Sequence, residues 1–290
     1  MQSSYTKRVL IMGLIILACV GLYVFFISRT RVIVTPPPVA TSTPIHTVIG
    51  RSVEGRTIDA YTYGTGPKHL MFVGGIHGGY EWNSVLLSYM FMDYLALNPT
   101  FIPANLTVVV IPSANPDGVA KVIGKEGRFV VADAATSTLV QESGRFNARA
   151  VDLNRNFDCL WQATSTWRSK AVSAGTSAFS EPEAAALRDF VASFKPDAAI
   201  FWHSQSNAVY ASQCGKGILA DTRALMNTYA TASGYPAVDT FDAYVTTGAA
   251  DDWLASINIP AITVELSTHE TIEWEKNVKG IKAVMGILVS

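Results

Sequence analysis

The chain has 290 residues, enough for one large domain or two small ones. A net charge of -1 leaves no basic footprint and excludes the nucleic-acid binders. Charged residues make up only 16% and the mean hydropathy is +0.24, apolar for a soluble protein.

The N-terminus accounts for part of that value. Residues 1–8 are a short basic segment ending in Lys7-Arg8, and residues 9–27 run apolar and uncharged. That length approaches the ~20 residues of a membrane-spanning helix. A cleaved signal peptide has a shorter apolar core, ~7–15 residues, and a small-residue cleavage site; no Ala-x-Ala site is visible. The run is read as a transmembrane signal-anchor, with lipidation at Cys19 of the lipobox-like Ile16-Leu17-Ala18-Cys19 as the other reading. Lys7 and Arg8 before it and Arg29 and Arg31 after it nearly balance, so its orientation is not fixed by charge. Residues 28–44 carry Pro36-Pro37-Pro38 and Pro44 and read as a stiff, extended linker. From residue 45 to 290 the composition is that of one globular domain.

Within it, apolar β-rich runs fall at 70–73, 106–111, 198–202 and 261–264, and helical patterns at 84–97, 182–194 and 219–233. Glu181-Pro182-Glu183 is a helix start, with Pro in the first turn and Ser180 as the candidate cap. Strands alternating with helices predict an α/β fold: a mixed, mostly parallel central sheet with helices on both faces. Cys159 and Cys214 are open to two readings, a disulfide outside the cytoplasm or two buried thiols.

Function-bearing residues fall where the strands end. Gly74-Gly75-Ile76-His77-Gly78-Gly79-Tyr80-Glu81 follows the first of these runs. An imidazole and a carboxylate at the C-terminal end of a strand, entering a helix, occupy the place where α/β proteins build sites. They are ligand types of a catalytic zinc, which takes three protein ligands and leaves one position open. His203, after another apolar run, is the candidate third ligand.

Further segments follow in order: Asn115-Pro116-Asp117-Gly118, Arg145-Phe146-Asn147, Asp152-Leu153-Asn154-Arg155-Asn156-Phe157, Ser180-Glu181-Pro182-Glu183, and Tyr244 through Trp253 with Glu265 beyond. With His77, Glu81 and His203, this ordered set resembles the zinc carboxypeptidase family, of the carboxypeptidase A type, from about residue 45 to the C-terminus. The resemblance implies one Zn2+ per chain, held by His77, Glu81 and His203. The family spaces its first two ligands as His-x-x-Glu; here Tyr80 holds that position and Glu81 stands one residue later. Spacings of three and four both keep side chains on one helical face, so Glu81 remains the candidate.

The resemblance also assigns roles. Glu265 matches the catalytic base and Arg145 the arginine that stabilises the oxyanion, with Arg149 close by. Asn154 and Arg155 match the pair that holds a substrate's terminal carboxylate, which a guanidinium fork suits. Tyr244 matches the loop tyrosine that closes over the substrate. Asp251 falls at the floor of the side-chain pocket and implies a basic or diaminopimelate-type C-terminal residue. Asp117 and Asp152 are both candidates to orient a ligand histidine. Loops around 121–144 and 158–179 are expected to limit access, and Trp161 and Trp167 line the rim or pack.

The function implied is a membrane-anchored, extracytoplasmic metallocarboxypeptidase acting on peptides. A short bacterial-like branch of the family cleaves the γ-D-glutamyl–diaminopimelate bond of murein peptides, and the short domain resembles it. Two other readings stand beside it: a zinc deacylase of acylated amino acids, and an inactive peptide-binding module.

Overall fold

In the computed structural model, residues 12–13, 15–23 and 43–289 are described. The chain divides into two units, Met1–Val39 and Ala40–Ser290. In the first, residues 12–13 and 15–23 are helical. The rest of the expected anchor over 9–27 lies outside the described residues, as does nearly all of the linker. Among the described residues no helix is long and apolar enough to cross a membrane.

In the second unit, β1 (Ile45–Arg51) and β2 (Thr57–Tyr63) form a hairpin before β3 (Lys68–Val73). β3 passes through a 3-10 turn, Gly78–Glu81, into α1 (Trp82–Leu97), and β4 (Leu106–Ile111) leads into α2 (Pro116–Ile123). A short α3 (Thr138–Ser143) precedes the separate hairpin of β5 (Thr164–Trp167) and β6 (Lys170–Ser173). Then come α4 (Pro182–Phe194), β7 (Ala198–Ser204), β8 (Ala208–Ala211), α5 (Ala220–Ser233), β9 (Ala237–Val238), α6 (Ala250–Ser256), β10 (Ala261–Leu266) and α7 (Trp274–Leu288).

The main sheet has the order β1-β2-β4-β3-β7-β10-β8-β9. Its centre, β4-β3-β7-β10, is parallel, and antiparallel pairings border it through β2–β4 and β10–β8. The mixed α/β architecture expected from the sequence is the one observed.

Side chains alternate across a strand with period two, and that alternation builds the two layers. Leu70, Phe72, Trp202 and Val264 pack on one face against Phe91 of α1, Tyr229 of α5 and Ile281 of α7. Met71, Val73, Phe201 and Ala261 pack on the other against Leu187 of α4 and Leu254 of α6. Being buried on both faces explains why these strands read as unbroken apolar runs.

Local sequence sets the element ends. Asn115 caps α2, its side chain accepting from the Gly118 amide, with Pro116 in the first turn and Gly124 closing the helix at φ +76. α4 starts at Pro182 as expected, but its N-cap residue is Glu181 and no side chain caps it. Ser180 is not the cap: its hydroxyl donates to Glu181 Oε1.

Candidate active site

His77 and Glu81 flank the 3-10 turn between β3 and α1 rather than sitting on a regular helix. The Gly-Gly pair within it lets the turn pack closely: a Cβ at Gly79 would stand 2.5 Å from Val122, and one at Gly78 2.4 Å from the Gly144 carbonyl. The tight turn brings Glu81 back toward His77 despite the longer spacing. Tyr80 points elsewhere, its ring packed on His269 and Trp167 at 4.4 and 5.2 Å.

β7 runs two residues further than its apolar core, so His203 is a strand residue. It follows Phe201 by two and faces the same side of the sheet. Its Nδ1 lies 3.1 Å from His77 Nδ1 and 3.0 Å from Glu81 Oε2, and His77 Nδ1 lies 2.8 Å from Glu81 Oε1. All three residues are buried.

Two imidazole nitrogens and a carboxylate thus converge on one point, where few protons fit between them. Glu81 Oε2, though 3.0 Å from His203 Nδ1, makes no hydrogen bond of proper geometry among the described residues. Tetrahedral zinc with ligands at ~2.0–2.2 Å separates its donors by roughly 3.3 Å, close to the observed spacing. The donor set therefore fits a zinc ion; His77, Glu81 and His203 form the metal-binding group expected from the sequence. Burial alone would push the Glu81 carboxyl up, but His77 and His203 beside it hold it well below the usual range.

Of the two acids considered as partners for a ligand histidine, Asp152 takes the place. Its Oδ1 lies 3.4 Å from His77 Nε2, and its Oδ2 receives Arg145 through Nε at 2.9 Å and Nη2 at 2.8 Å. Asp117 instead accepts from Ser52 Oγ, Arg56 Nη1 and the Glu54 amide, tying down the β1–β2 turn. Arg145 is buried with Nη1 3.8 Å from Glu81 Oε1. Arg149 is exposed and pairs with Glu181 at 3.6 Å, away from the ligands.

Glu265 pairs in register with His203 across the parallel β10–β7 ladder, so both side chains leave the same face. Its Oε2 is buried without a hydrogen-bond partner among the described residues. Burial, then Glu81 nearby, push its carboxyl up to about 7.

A cavity of about 460 Å³ opens beside this group, lined by His77, His203, Glu265, Arg145, Asn154, Arg155, Tyr244, Asp251 and Asp252, among others. Asn154 Oδ1 accepts from the Ala250 amide at 2.9 Å, which leaves its Nδ2 as the donor for the cavity. Arg155 gives Nε and Nη2 to the Thr166 carbonyl and Nη1 to the Asn154 carbonyl. A guanidinium has five N–H donors, so part of its fork remains for a ligand. Tyr244 is half-buried against Phe241.

In the same lining, Asp251 accepts from Thr263 Oγ1 at 2.9 Å and Asp252 from the Gln213 amide at 2.9 Å. Burial, then the adjacent Asp251, push the Asp252 carboxyl up to about 8. The wall is stapled by a Cys159–Cys214 disulfide, which settles the two readings of these cysteines. Of the two access loops, 158–179 contributes Cys159 and Leu160 to the cavity lining. Trp161 packs, donating to the Ala174 carbonyl, while Trp167 lies against Arg145.

The sequence reading missed Asp252, Tyr80, Ser204 and His269. Ser204 Oγ and His269 Nδ1 are hydrogen-bonded at 2.7 Å, beneath Tyr80. An isolated His in a loop carries no spacing signal. Asp252 stood beside Asp251 and was legible as a second acid.

A buried His-Glu-His set at the C-terminal ends of parallel strands, with a carboxylate in register and an arginine opposite, defines a metallohydrolase site. The zinc carboxypeptidase family model matches residues 40–282, and the chain belongs to that family. Among solved structures it is similar to the murein-tripeptide amidase MpaA from Escherichia coli O157 (22% identity, TM-score 0.59, covering 87% of this chain and 95% of that one). It is also similar to carboxypeptidase A from Helicoverpa armigera (20%, TM-score 0.65, 84% and 67%). A curated relative, the uncharacterized protein YqgT of Bacillus subtilis (strain 168), is 28% identical over 186 residues, covering 56% of this chain and 49% of YqgT. The chain thus spans about half the length of that relative.

Proposed function

We propose that the protein removes the C-terminal residue of peptides, with preference for a residue carrying a distal positive charge, lysine-like or of the diaminopimelate type. The observation that carries this reading is the pair of acids, Asp251 and Asp252, lining the same cavity as His77, His203 and Glu265. Diaminopimelate brings murein peptides into the substrate class. The likeness to the murein-tripeptide amidase, which spans 95% of that chain, supports a domain of the same compact size.

Bound zinc would polarise the scissile carbonyl and acidify the attacking water. Glu265 takes that water's proton, its carboxylate lying beside His203 on the adjoining strand, and hands it to the leaving amine. Arg145, fixed by Asp152, presents Nη1 to the oxygen on which negative charge develops. The free donors of Arg155 and Asn154 Nδ2 bind the terminal carboxylate, and Tyr244 covers it. Asp251 and Asp252 take the distal ammonium.

The apolar run over 9–27 would hold the domain at a membrane. The Cys159–Cys214 disulfide supports an oxidising, extracytoplasmic location.

The test is hydrolysis of peptides ending in Lys or Phe and of a γ-D-Glu–diaminopimelate tripeptide. The reading expects Lys or diaminopimelate to be preferred, and Asp251→Ala to cut that preference about tenfold or more, the worth of one charge-assisted contact. An unchanged Lys/Phe ratio in Asp251→Ala would refute the assignment.

A further inference from the structure

The β5–β6 hairpin stands outside the main sheet, yet four elements of the site are fastened to it. The Thr166 carbonyl receives Arg155 from Nη2 at 3.0 Å and Nε at 3.3 Å. The Ser173 carbonyl receives the Asp152 amide at 3.0 Å. Ser165 Oγ receives Thr247 Oγ1 at 3.1 Å, three residues after Tyr244. Trp167, buried at 4% exposure, lies under Arg145, whose Cζ is 4.8 Å from the ring centroid.

The geometry around Arg145 gives that last contact its meaning. Nε and Nη2 are both spent on Asp152. Such a fork fixes where the guanidinium sits but leaves it free to tip about the line through Nε and Nη2. Tipping moves Nη1, the nitrogen turned toward Glu81 at 3.8 Å. The ring of Trp167 closes that freedom from one side, and an indole face attracts a guanidinium most strongly of the aromatic side chains. Tyr80, directly before the ligand Glu81, abuts the same indole at 5.2 Å, so the ring registers the arginine against the ligand turn.

We propose that Trp167 is a positioning residue of the reaction: it holds the plane of Arg145 so that Nη1 faces the carbonyl oxygen of the bound substrate. The inference rests on the reading of Arg145 as the oxyanion partner. It predicts a loss in the chemical step without a matching loss in substrate binding, because the contacts assigned to the terminal carboxylate and the distal ammonium do not include Trp167.

The test is a double-mutant cycle on zinc-loaded protein with the preferred peptide, using Trp167→Leu, Trp167→Phe and Arg145→Lys, with zinc content and melting temperature measured alongside. Trp167→Leu is expected to lower kcat about three- to thirtyfold, the range of a cation–π contact, with KM within about twofold and zinc retained. Trp167→Phe should recover part of the loss. In the Arg145→Lys background, Trp167→Leu should cost less than half as much, because the two residues act as a unit. Should the Leu variant not fold, the cycle is read with Phe, which is expected to lower kcat a few-fold in the wild-type background alone. A kcat loss that is the same in both backgrounds, or a rise in KM at constant kcat, would overturn the proposal and make Trp167 a packing residue. If Arg145→Lys itself leaves kcat unchanged, it is the assignment of Arg145 that fails, and the two failures are told apart.

Discussion

Glu265 and His203 are register partners on adjacent parallel strands. The candidate base and a candidate metal ligand thus leave the sheet side by side, on the face that also carries Phe201. Their relative position is set by the β7–β10 ladder rather than by a loop. The alternation of strand side chains does the rest: Val264 and Trp202 go to one core, Glu265 and His203 to the site.

The unusual ligand spacing gives a first prediction. Glu81→Ala should lose zinc affinity by more than about 100-fold, beyond what outer partners of a ligand contribute. Adding Tyr80→Glu should not restore it, because position 80 is directed toward Trp167 and His269. Zinc titration of the purified variants checks both; restoration by Tyr80→Glu would mean that the turn can adopt the family's usual spacing.

Asp152 serves two groups at once, His77 Nε2 and the Arg145 fork. Asp152→Asn keeps the shape and removes the charge. Zinc affinity should fall about 10- to 100-fold, and kcat should remain depressed even at saturating zinc because Arg145 loses its anchor. Full recovery of kcat at saturating zinc would show that Asp152 serves the metal alone.

The raised Glu265 carboxyl predicts the acid limb of activity. A base works only when deprotonated, so activity is present above its pKa and lost as pH falls through it. Burial and Glu81 place that value at about 7, and a nearby zinc cation pulls it down. The kcat/KM profile should therefore fall with unit slope somewhere below about pH 7 and above the ordinary carboxylate range near 4. A profile flat to about pH 4 would contradict the role of Glu265.

Cys159 and Cys214 close a loop across 55 residues, and Cys159 stands at the cavity wall. Replacing both with Ser should lower the stability of residues 43–289 by about 2–4 kcal/mol, read as a shift in the urea midpoint. An unchanged midpoint would show that the loops are held without the staple.

Much of this was legible in the sequence because it rests on local patterns. The four parallel strands announced themselves as apolar runs, since burial on both faces leaves Thr107 as the one polar position in β4, its hydroxyl donating to the Gly66 carbonyl. His77 and His203 stood out by following such runs. The β1–β2 hairpin was not foreseen: half-exposed, with charged and Thr-rich positions, it lacks a clear period. Nor was the part played by β5–β6, because Thr166 and Ser173 act through backbone carbonyls, which any residue type provides. Asp152 and Asp117 are both acids near family motifs, and only their distance from His77 in the fold separates them. The expected anchor over 9–27 stands as a reading of hydropathy.

The central claim, that His77, Glu81 and His203 hold zinc for a reaction in which Glu265 is the base, is tested most directly by one paired measurement. Zinc content and hydrolysis of Lys- and diaminopimelate-ended peptides are determined for the wild-type chain and for Glu265→Gln. About one zinc per chain is expected in both proteins, with activity falling by at least about 100-fold in the variant, the scale of a lost general base. Equal activity in the two proteins, or a wild-type chain that binds no zinc when supplied with it, would contradict the claim.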